Sequence, residues 1–325
     1  MAHRVLMYTL TGSTELADSY LRELGLAGEL ELRALRHESH ATPMPAELEG
    51  CEAVVGEFMP VLGGAVDDFA DAGVRLVASM SIGLNHVDVA GLAARGVRVA
   101  NCPGYCAQDV ALHAMALMLD LKRQVTCANR RVLAGGWEPK GGYGMTRTQG
   151  QVLGLVFFGA IARAVVPIAH GLGMRVLVWA PTKSASELAA AGCEKAETLD
   201  ELLRVSDVVS LHCPLIPLTE GLIGARELSI MKPTAFLINT ARGAVVDEEA
   251  LADALERGVI QGAGIDVLTD ELADNSRLIH APNCVVTPHM AYASAEADEA
   301  LVRMSLDNVC DLLVRGVEPR WLVRP

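Results

Sequence analysis

The stretch Val152–Thr182, VLGLVFFGAIARAVVPIAHGLGMRVLVWAPT, decides the fold. An apolar run over Val152 to Phe158 meets a glycine and passes into a helical segment, and a second apolar run covers Arg175 to Ala180. Strand, tight turn, helix and strand in this order make the first βαβ unit of a dinucleotide-binding fold. Its fingerprint is G-x-G-x-x-G, with an acidic residue about twenty positions on. Here the three glycine places read Phe157, Gly159 and Ala162, and the acidic place reads Ala180. Phe157 must make the sharp turn with a side chain that disfavours positive φ, and its ring is expected to obstruct the space above the helix N-terminus where a pyrophosphate would lie. Ala162 is a mild change, whereas Ala180 removes the carboxylate that holds the ribose hydroxyls. From these residues alone, a working nucleotide site and a site that no longer takes the usual cofactor both stand.

A chain of 325 residues has room for two ordinary domains, each with its own core. With 51% hydrophobic and 21% charged residues it reads as compact rather than disordered. The net charge of −13 argues against a general nucleic-acid or anionic-membrane surface. The N-terminal MAHRVLMYTL is too short and strand-like for a signal peptide, and no apolar run is long enough to span a bilayer. Eight scattered cysteines read as reduced thiols, so a cytoplasmic protein is expected. Cys102 and Cys106 form a C-x-x-x-C without a second ligand pair, and no metal is expected there.

Outward from the central stretch, strand signals fall at Arg4–Thr9, Leu30–Leu35, Ala53–Glu57 and Leu76–Met80, interleaved with helical pieces. Ser13 to Leu24 reads as a helix capped by Ser13 or Thr14. Gln108 to Leu133 is apolar at helical spacing and is expected to form one extended helix, serving as core or subunit interface. Gly135-Gly136 and Gly141-Gly142 bracket the loop that follows. Beyond Thr182, apolar strands at Asp207–Leu211, Ala235–Asn239, Ala263–Val267 and Cys284–Thr287 alternate with helices at Leu199–Arg204 and Asp247–Gly258. A doubly wound parallel α/β sheet is the natural solution. Ala293 to Arg315 reads as one amphipathic helix returning to the first domain.

Five further stretches carry chemistry: SIGLNHVD from Ser81, LHCPLIPLTEGLI from Leu211, INTARGAVVDEEAL from Ile238, GAGIDVLTDE from Gly262 and TPHMAY from Thr287. Together, over nearly the whole chain, they resemble the D-isomer-specific 2-hydroxyacid dehydrogenases. Within that family, NCPGYCAQDVALHA from Asn101 resembles the subgroup of the C-terminal-binding-protein corepressors and their bacterial relatives. The resemblance implies a smaller, flavodoxin-like substrate domain built from both chain ends, residues 1–100 and 291–325. It also implies a Rossmann-type dinucleotide domain over 101–290, and a homodimer joined largely through the segment after Asn101.

Carried over residue by residue, Arg242, Glu271 and His289 fall on the family's catalytic trio. A guanidinium fork suits a 2-oxo acid carboxylate. An imidazole donates a proton to the carbonyl oxygen as hydride reaches the carbon, and a carboxylate on its other nitrogen orients it. The amides of Ile82 and Gly83 complete the implied carboxylate cradle. Phe157, Gly159, Ala160, Ile161 and Ala180 occupy the implied pyrophosphate and adenosine side. Cys213, Thr240, Ala241 and Asp266 occupy the nicotinamide side. His3, His37, His40, His113, His170 and His280 carry no such context and read as structural.

Three readings follow. The first is a dehydrogenase using NAD or NADP on a small anionic 2-oxo or 2-hydroxy acid, with Thr182-Lys183-Ser184 leaving room for a 2′-phosphate. The second is an acid–base enzyme (isomerase, lyase or cyclase) that uses no nucleotide. The third is an interaction protein, for which the complete trio is superfluous.

Overall fold

The computed structural model describes residues 2–38, 40–139, 144–271 and 275–325, so Gly141-Gly142 lies outside the described residues. The chain divides into two compact units: Met1–Tyr105 with Ser294–Pro325, and Cys106–Ala293.

The first unit opens with β1 (His3–Thr9), α1 (Glu15–Glu23), β2 (Leu30–Arg36), α2 (Pro45–Leu48), β3 (Ala53–Gly56), α3 (Gly64–Asp71), β4 (Leu76–Ser79), α4 (Val89–Ala94) and β5 (Arg98–Ala100). The second contains α5 (Ala107–Arg123), α6 (Val125–Leu133), β6 (Val152–Val156), α7 (Ala160–Gly171), β7 (Arg175–Trp179), α8 (Ala185–Ala190), β8 (Glu194–Lys195) and α9 (Leu199–Val205). It continues through β9 (Val208–Leu211), α10 (Ala225–Ile230), β10 (Phe236–Asn239), α11 (Glu248–Glu256), β11 (Gly262–Ile265) and β12 (Cys284–Val286). The chain then re-enters the first unit with α12 (Ala295–Leu313) and β13 (Leu322–Val323).

The first unit's sheet runs β13-β5-β4-β3-β1-β2, parallel except for β13, which pairs antiparallel with β5. The 2-1-3-4-5 order of its parallel strands is the flavodoxin-like winding. Strand alternation fills both faces. Val5 and Met7 pack with α1 and α12 on one side, while Leu6 and Tyr8 pack with Val66 and Phe69 of α3 on the other. Full burial of each such side chain contributes roughly 1.5–3 kcal/mol.

The second unit's sheet runs β12-β11-β10-β9-β6-β7-β8, all parallel. From β6 the chain winds outward through β7 and β8, then returns to β9 on the other side and continues to β12. The doubly wound α/β class expected from the sequence is the one found. One face buries α5 and α7 against Leu153, Leu155 and Ile238, and the other buries α9, α10 and α11 against Val209, Leu211 and Leu237.

The expected single helix over Gln108–Leu133 is two. Gln124 adopts a left-handed backbone, φ 55°, and ends α5 while starting α6. Its side-chain amide donates to Leu121 O at 2.7 Å, and Asp120 accepts from the Thr126 amide at 2.7 Å, so the break is satisfied on both sides. Burial differs with it: α5 packs into the core, whereas α6 has no buried residue. The strand expected to reach Phe158 ends at Val156, because Phe157 turns into the left-handed region at φ 70°.

Candidate active site

In an open doubly wound sheet, ligands bind beyond the carboxyl ends of the strands where the winding reverses. Here that point lies between β6 and β9. Phe157 follows β6, its amide donates to Trp179 O at 2.8 Å, and its ring meets Trp179 edge-on at 5.8 Å. Both rings pack on the cluster lining the face opposite α7. The ring expected over the helix N-terminus is therefore drawn to a hydrophobic partner on the other side of the sheet. Gly159, the N-cap of α7, is exposed, has no side-chain cap bond, and has nothing within 4 Å of where a Cβ would stand. Ala160 is exposed and Ile161 is partly buried. An uncapped helix N-terminus with open space beside its glycine suits a pyrophosphate.

At the position where the dinucleotide fingerprint calls for an acidic residue, Ala180 is 3% exposed and offers no carboxylate. Cations stand nearby. Lys183 Nζ lies 2.8 Å and Arg163 Nη2 lies 3.2 Å from Glu187 Oε1. The Lys183 bond first, with Arg163 adding to it, holds the Glu187 carboxyl below its usual range. The Arg163 guanidinium also covers the Phe158 ring at 4.6 Å.

After β9, His212 Nε2 pairs with Ser210 Oγ at 3.0 Å. Its Nδ1 is shut off from solvent with no partner among the described residues, and burial pushes the imidazole down to about 4. Cys213 is buried, which raises its thiol to about 11 and keeps it protonated at neutral pH. After β10, Thr240 Oγ1 is likewise buried with no partner among the described residues.

Asn239 shapes the turn that carries Arg242. Its Oδ1 accepts from the Ala241 amide at 3.0 Å and its Nδ2 donates to Arg242 O at 2.9 Å. The guanidinium is partly buried and gives Nη1–H to Ala241 O at 2.6 Å, one of its five donors. Gly243 then permits a close approach: a Cβ there would stand 2.1 Å from the carbonyl carbon of Leu268 and 2.3 Å from the Thr269 nitrogen. The Arg242 turn thus abuts the segment leading to Glu271. Gly243→Ala is expected to force these backbones apart, lowering stability by about 1–3 kcal/mol and kcat by more than the stability loss explains. Thermal melts beside initial rates check this.

Glu271 and His289 meet directly. His289 Nδ1 lies 2.8 Å from Oε1 and 2.9 Å from Oε2, with both side chains about a quarter exposed. His289 has φ 50°, and its ring meets Tyr292 edge-on at 6.4 Å. Asp266, 1% exposed, accepts from the Met290 and Ala291 amides at 3.0 Å each and from Thr287 Oγ1 at 2.6 Å, so it braces the loop bearing His289. Arg242, Glu271 and His289 accordingly follow three neighbouring strands, β10, β11 and β12, at their carboxyl ends.

Ile82 and Gly83 belong to the first unit, beyond the carboxyl end of β4. Asn101 Nδ2 donates to Ile82 O at 2.8 Å and Ser81 Oγ donates to Gly83 O at 2.9 Å. Among the described residues neither amide has a protein acceptor.

Asn239, Gly243, Thr287 and His113 were not singled out for the site by the sequence. A cavity of about 400 Å³, lined by Asp120, Gln124, Arg130, Asn283 and Cys284 among others, sits at the amino end of β12, away from the trio. Among the described residues no group of three or more His, Cys, Asp or Glu is placed to hold a metal, and no helix is long and apolar enough to cross a membrane.

The open Gly159 turn and the orphaned Thr240 hydroxyl and His212 nitrogen, all beyond the carboxyl ends of β6, β10 and β9, fit a nicotinamide dinucleotide. Fold and site together define a nicotinamide-dependent oxidoreductase. The model for the D-isomer specific 2-hydroxyacid dehydrogenase NAD binding domain matches residues 115–291. A glyoxylate reductase of Thermococcus litoralis is 37% identical over 245 residues, covering 73% of this chain and 73% of that enzyme. A glycerate dehydrogenase of Methylorubrum extorquens is 34% identical over 305 residues, covering 91% and 92%. The crystal structure of a Thermus thermophilus protein superposes with TM-score 0.85 at 34% identity, covering 99% of this chain and 100% of that one. The chain belongs to the D-isomer-specific 2-hydroxyacid dehydrogenase family, and it is an oxidoreductase of that type, acting on small acids with a nicotinamide cofactor.

Proposed function

We propose that the protein reduces a short 2-oxo acid of the glyoxylate or hydroxypyruvate kind to the D-2-hydroxy acid. The carrying observation is the His289–Glu271 pair on the strand ends next to the Arg242 turn. The unit Cys106–Ala293 is assigned as the nucleotide domain, and Met1–Tyr105 with Ser294–Pro325 as the substrate domain. The cofactor supplies hydride to the substrate's C2. Because Glu271 takes the Nδ1 side of His289, Nε2 is the nitrogen that gives its proton to the carbonyl oxygen. Arg242 offers its remaining donors to the carboxylate, and the amides of Ile82 and Gly83, which have no protein acceptor among the described residues, are assigned to substrate binding. Cys213, Thr240, Ala241 and Asp266 are assigned to the nicotinamide side, and Phe157 to Ile161 to the pyrophosphate side. Oxidation of NADH or NADPH, followed at saturating glyoxylate and hydroxypyruvate, tests the reading; no turnover with either acid would refute it.

The cofactor assigned is NADP(H) in preference to NAD(H). Ala180 gives the ribose no carboxylate, and Lys183 and Arg163, which share the Glu187 carboxylate, are the cations assigned to a 2′-phosphate. Lys183→Ala is expected to raise KM for NADPH by about tenfold and leave that for NADH within about twofold, since one charge-assisted hydrogen bond is worth roughly 1.5–3 kcal/mol. Equal effects on both cofactors would reverse the assignment.

A homodimer is part of the proposal, and a place near the C-terminal-binding-protein subgroup rests on Asn101 to Ala114 alone. Val125, Val132, Leu133 and Trp137 expose 47–83% of their surface on and just after α6, which has no fully buried residue. A second copy of the chain is assigned to this face. Leu133→Asp with Trp137→Asp is expected to yield monomers by light scattering; a parent protein that is already monomeric would remove this assignment. The reading places the enzyme in the cytoplasm, where its eight thiols stay reduced.

A further inference from the structure

One histidine in the second unit has no part in the chemistry assigned above, yet it is tied to the catalytic loop. His113, on α5, places Nε2 3.0 Å from Thr287 Oγ1 and 3.4 Å from Asp266 Oδ1. Thr287 donates its single hydroxyl proton to Asp266 Oδ1 at 2.6 Å. Its oxygen must therefore accept from His113, so the imidazole carries a proton on Nε2. The directions along this chain of bonds are fixed: His113 donates to Thr287, and Thr287 donates to Asp266.

Asp266 in turn holds the loop. Oδ1 also accepts from the Met290 amide and Oδ2 from the Ala291 amide. The backbone closes the same unit, with Thr287 N bonded to Ile265 O at 2.9 Å and His289 N bonded to Asp266 O at 2.8 Å. Between these anchors His289 sits at φ 50°. A left-handed non-glycine residue costs roughly 1–2 kcal/mol and persists only where its surroundings enforce it.

We infer that His113 is a positioning residue for His289, acting from α5 through the Thr287 hydroxyl and the Asp266 carboxylate to hold the left-handed turn that aims the imidazole. This rests on the reading of His289 as the proton donor. Truncating His113 leaves the Asp266–amide bonds in place but removes the link to the helix. The loop keeps its shape on average and loses its rigidity. The loss falls on kcat, because Arg242, which holds the carboxylate, stands on a different turn braced by Asn239.

The test compares His113→Ala, Thr287→Val, the double variant and His113→Gln in the full chain. Glutamine can set an amide N–H where Nε2–H stands, restoring the donor without the ring. In each single variant kcat is expected to fall about tenfold or more, with KM for the 2-oxo acid within about twofold. The double variant should be no slower than the slower single, and His113→Gln should return to within about threefold of the parent. With ¹⁵N-labelled histidine, the His289 ring signals should shift or broaden in both single variants and stay in place in His170→Ala, an exposed site on α7. Unchanged kcat, additive losses, failure of the glutamine rescue or unmoved His289 signals would overturn the inference. A parent protein that reduces no 2-oxo acid would instead refute the functional reading, and the ring signals would still decide whether His113 governs the His289 turn.

Discussion

Replacing His289 by alanine is expected to lower kcat about a thousandfold, within the 10²–10⁴ range of a lost general acid, while the protein stays folded. The side chain lies on a loop, 29% exposed and outside the hydrophobic core clusters, so its removal is not expected to unfold the protein. As hydride reaches C2, the carbonyl oxygen takes up a full negative charge unless a proton arrives with it. Without the imidazole the proton must come from water, and Glu271 loses the partner it orients. The backbone at this position is left-handed, which asparagine tolerates better than alanine. His289→Asn is therefore the cleaner variant: it should match the alanine variant in rate and exceed it in melting temperature. Rates at saturating substrate with both variants settle the matter, and retention of more than a tenth of the parental kcat would remove His289 from the proton transfer.

The fold was legible because its signals are local. Buried parallel strands show as short apolar runs such as Val208–Leu211 and Phe236–Asn239, and glycine turns punctuate them. Burial decided what periodicity could not. Gln108 to Leu133 keeps a helical repeat throughout, yet α5 goes into the core and α6 does not, and the break at Gln124 is satisfied by Asp120, which accepts from the Thr126 amide. Phe157 was legible as an anomaly, but its consequence was not. The ring's direction is set by Trp179 across the β6–β7 pair, a contact that no turn rule contains.

For the site the division runs the same way. Arg242, Glu271 and His289 could be singled out because each stands inside a stretch whose spacing resembles the family. What holds them was invisible. Gly243 looks like any turn glycine until the Leu268 backbone is seen against it. His113 looked like a satisfied structural histidine on a long helix, and it is satisfied. Its partner, however, is Thr287, which stands two residues before His289 and far along the chain from α5. Residues that do chemistry are conspicuous by type, whereas residues that aim them are ordinary in type and special only in place.

Arg242 should show the second large effect, and it should appear in a different constant. Two charge-assisted hydrogen bonds to a carboxylate are worth about 3–6 kcal/mol together. Arg242→Ala is therefore expected to lower kcat/KM for a 2-oxo acid by about 10²–10⁴-fold. Much of that loss should reside in KM, because the carboxylate is bound before and during hydride transfer. Lysine keeps the charge and loses the planar fork, so Arg242→Lys should recover about half of the lost free energy. The structure adds a condition. Nη1 is held by Ala241 O at 2.6 Å, and Asn239 fixes the turn from both sides, so the fork is already oriented before substrate arrives. Asn239→Ala should accordingly mimic part of the Arg242 defect without touching the guanidinium. The deciding control is a carbonyl substrate that carries no carboxylate, such as a simple aldehyde. Its slow reduction should be nearly indifferent to Arg242→Ala, because the removed donors have nothing to bind. If aldehyde and 2-oxo acid lose rate in equal proportion, Arg242 shapes the site or the cofactor pocket and does not clamp the substrate.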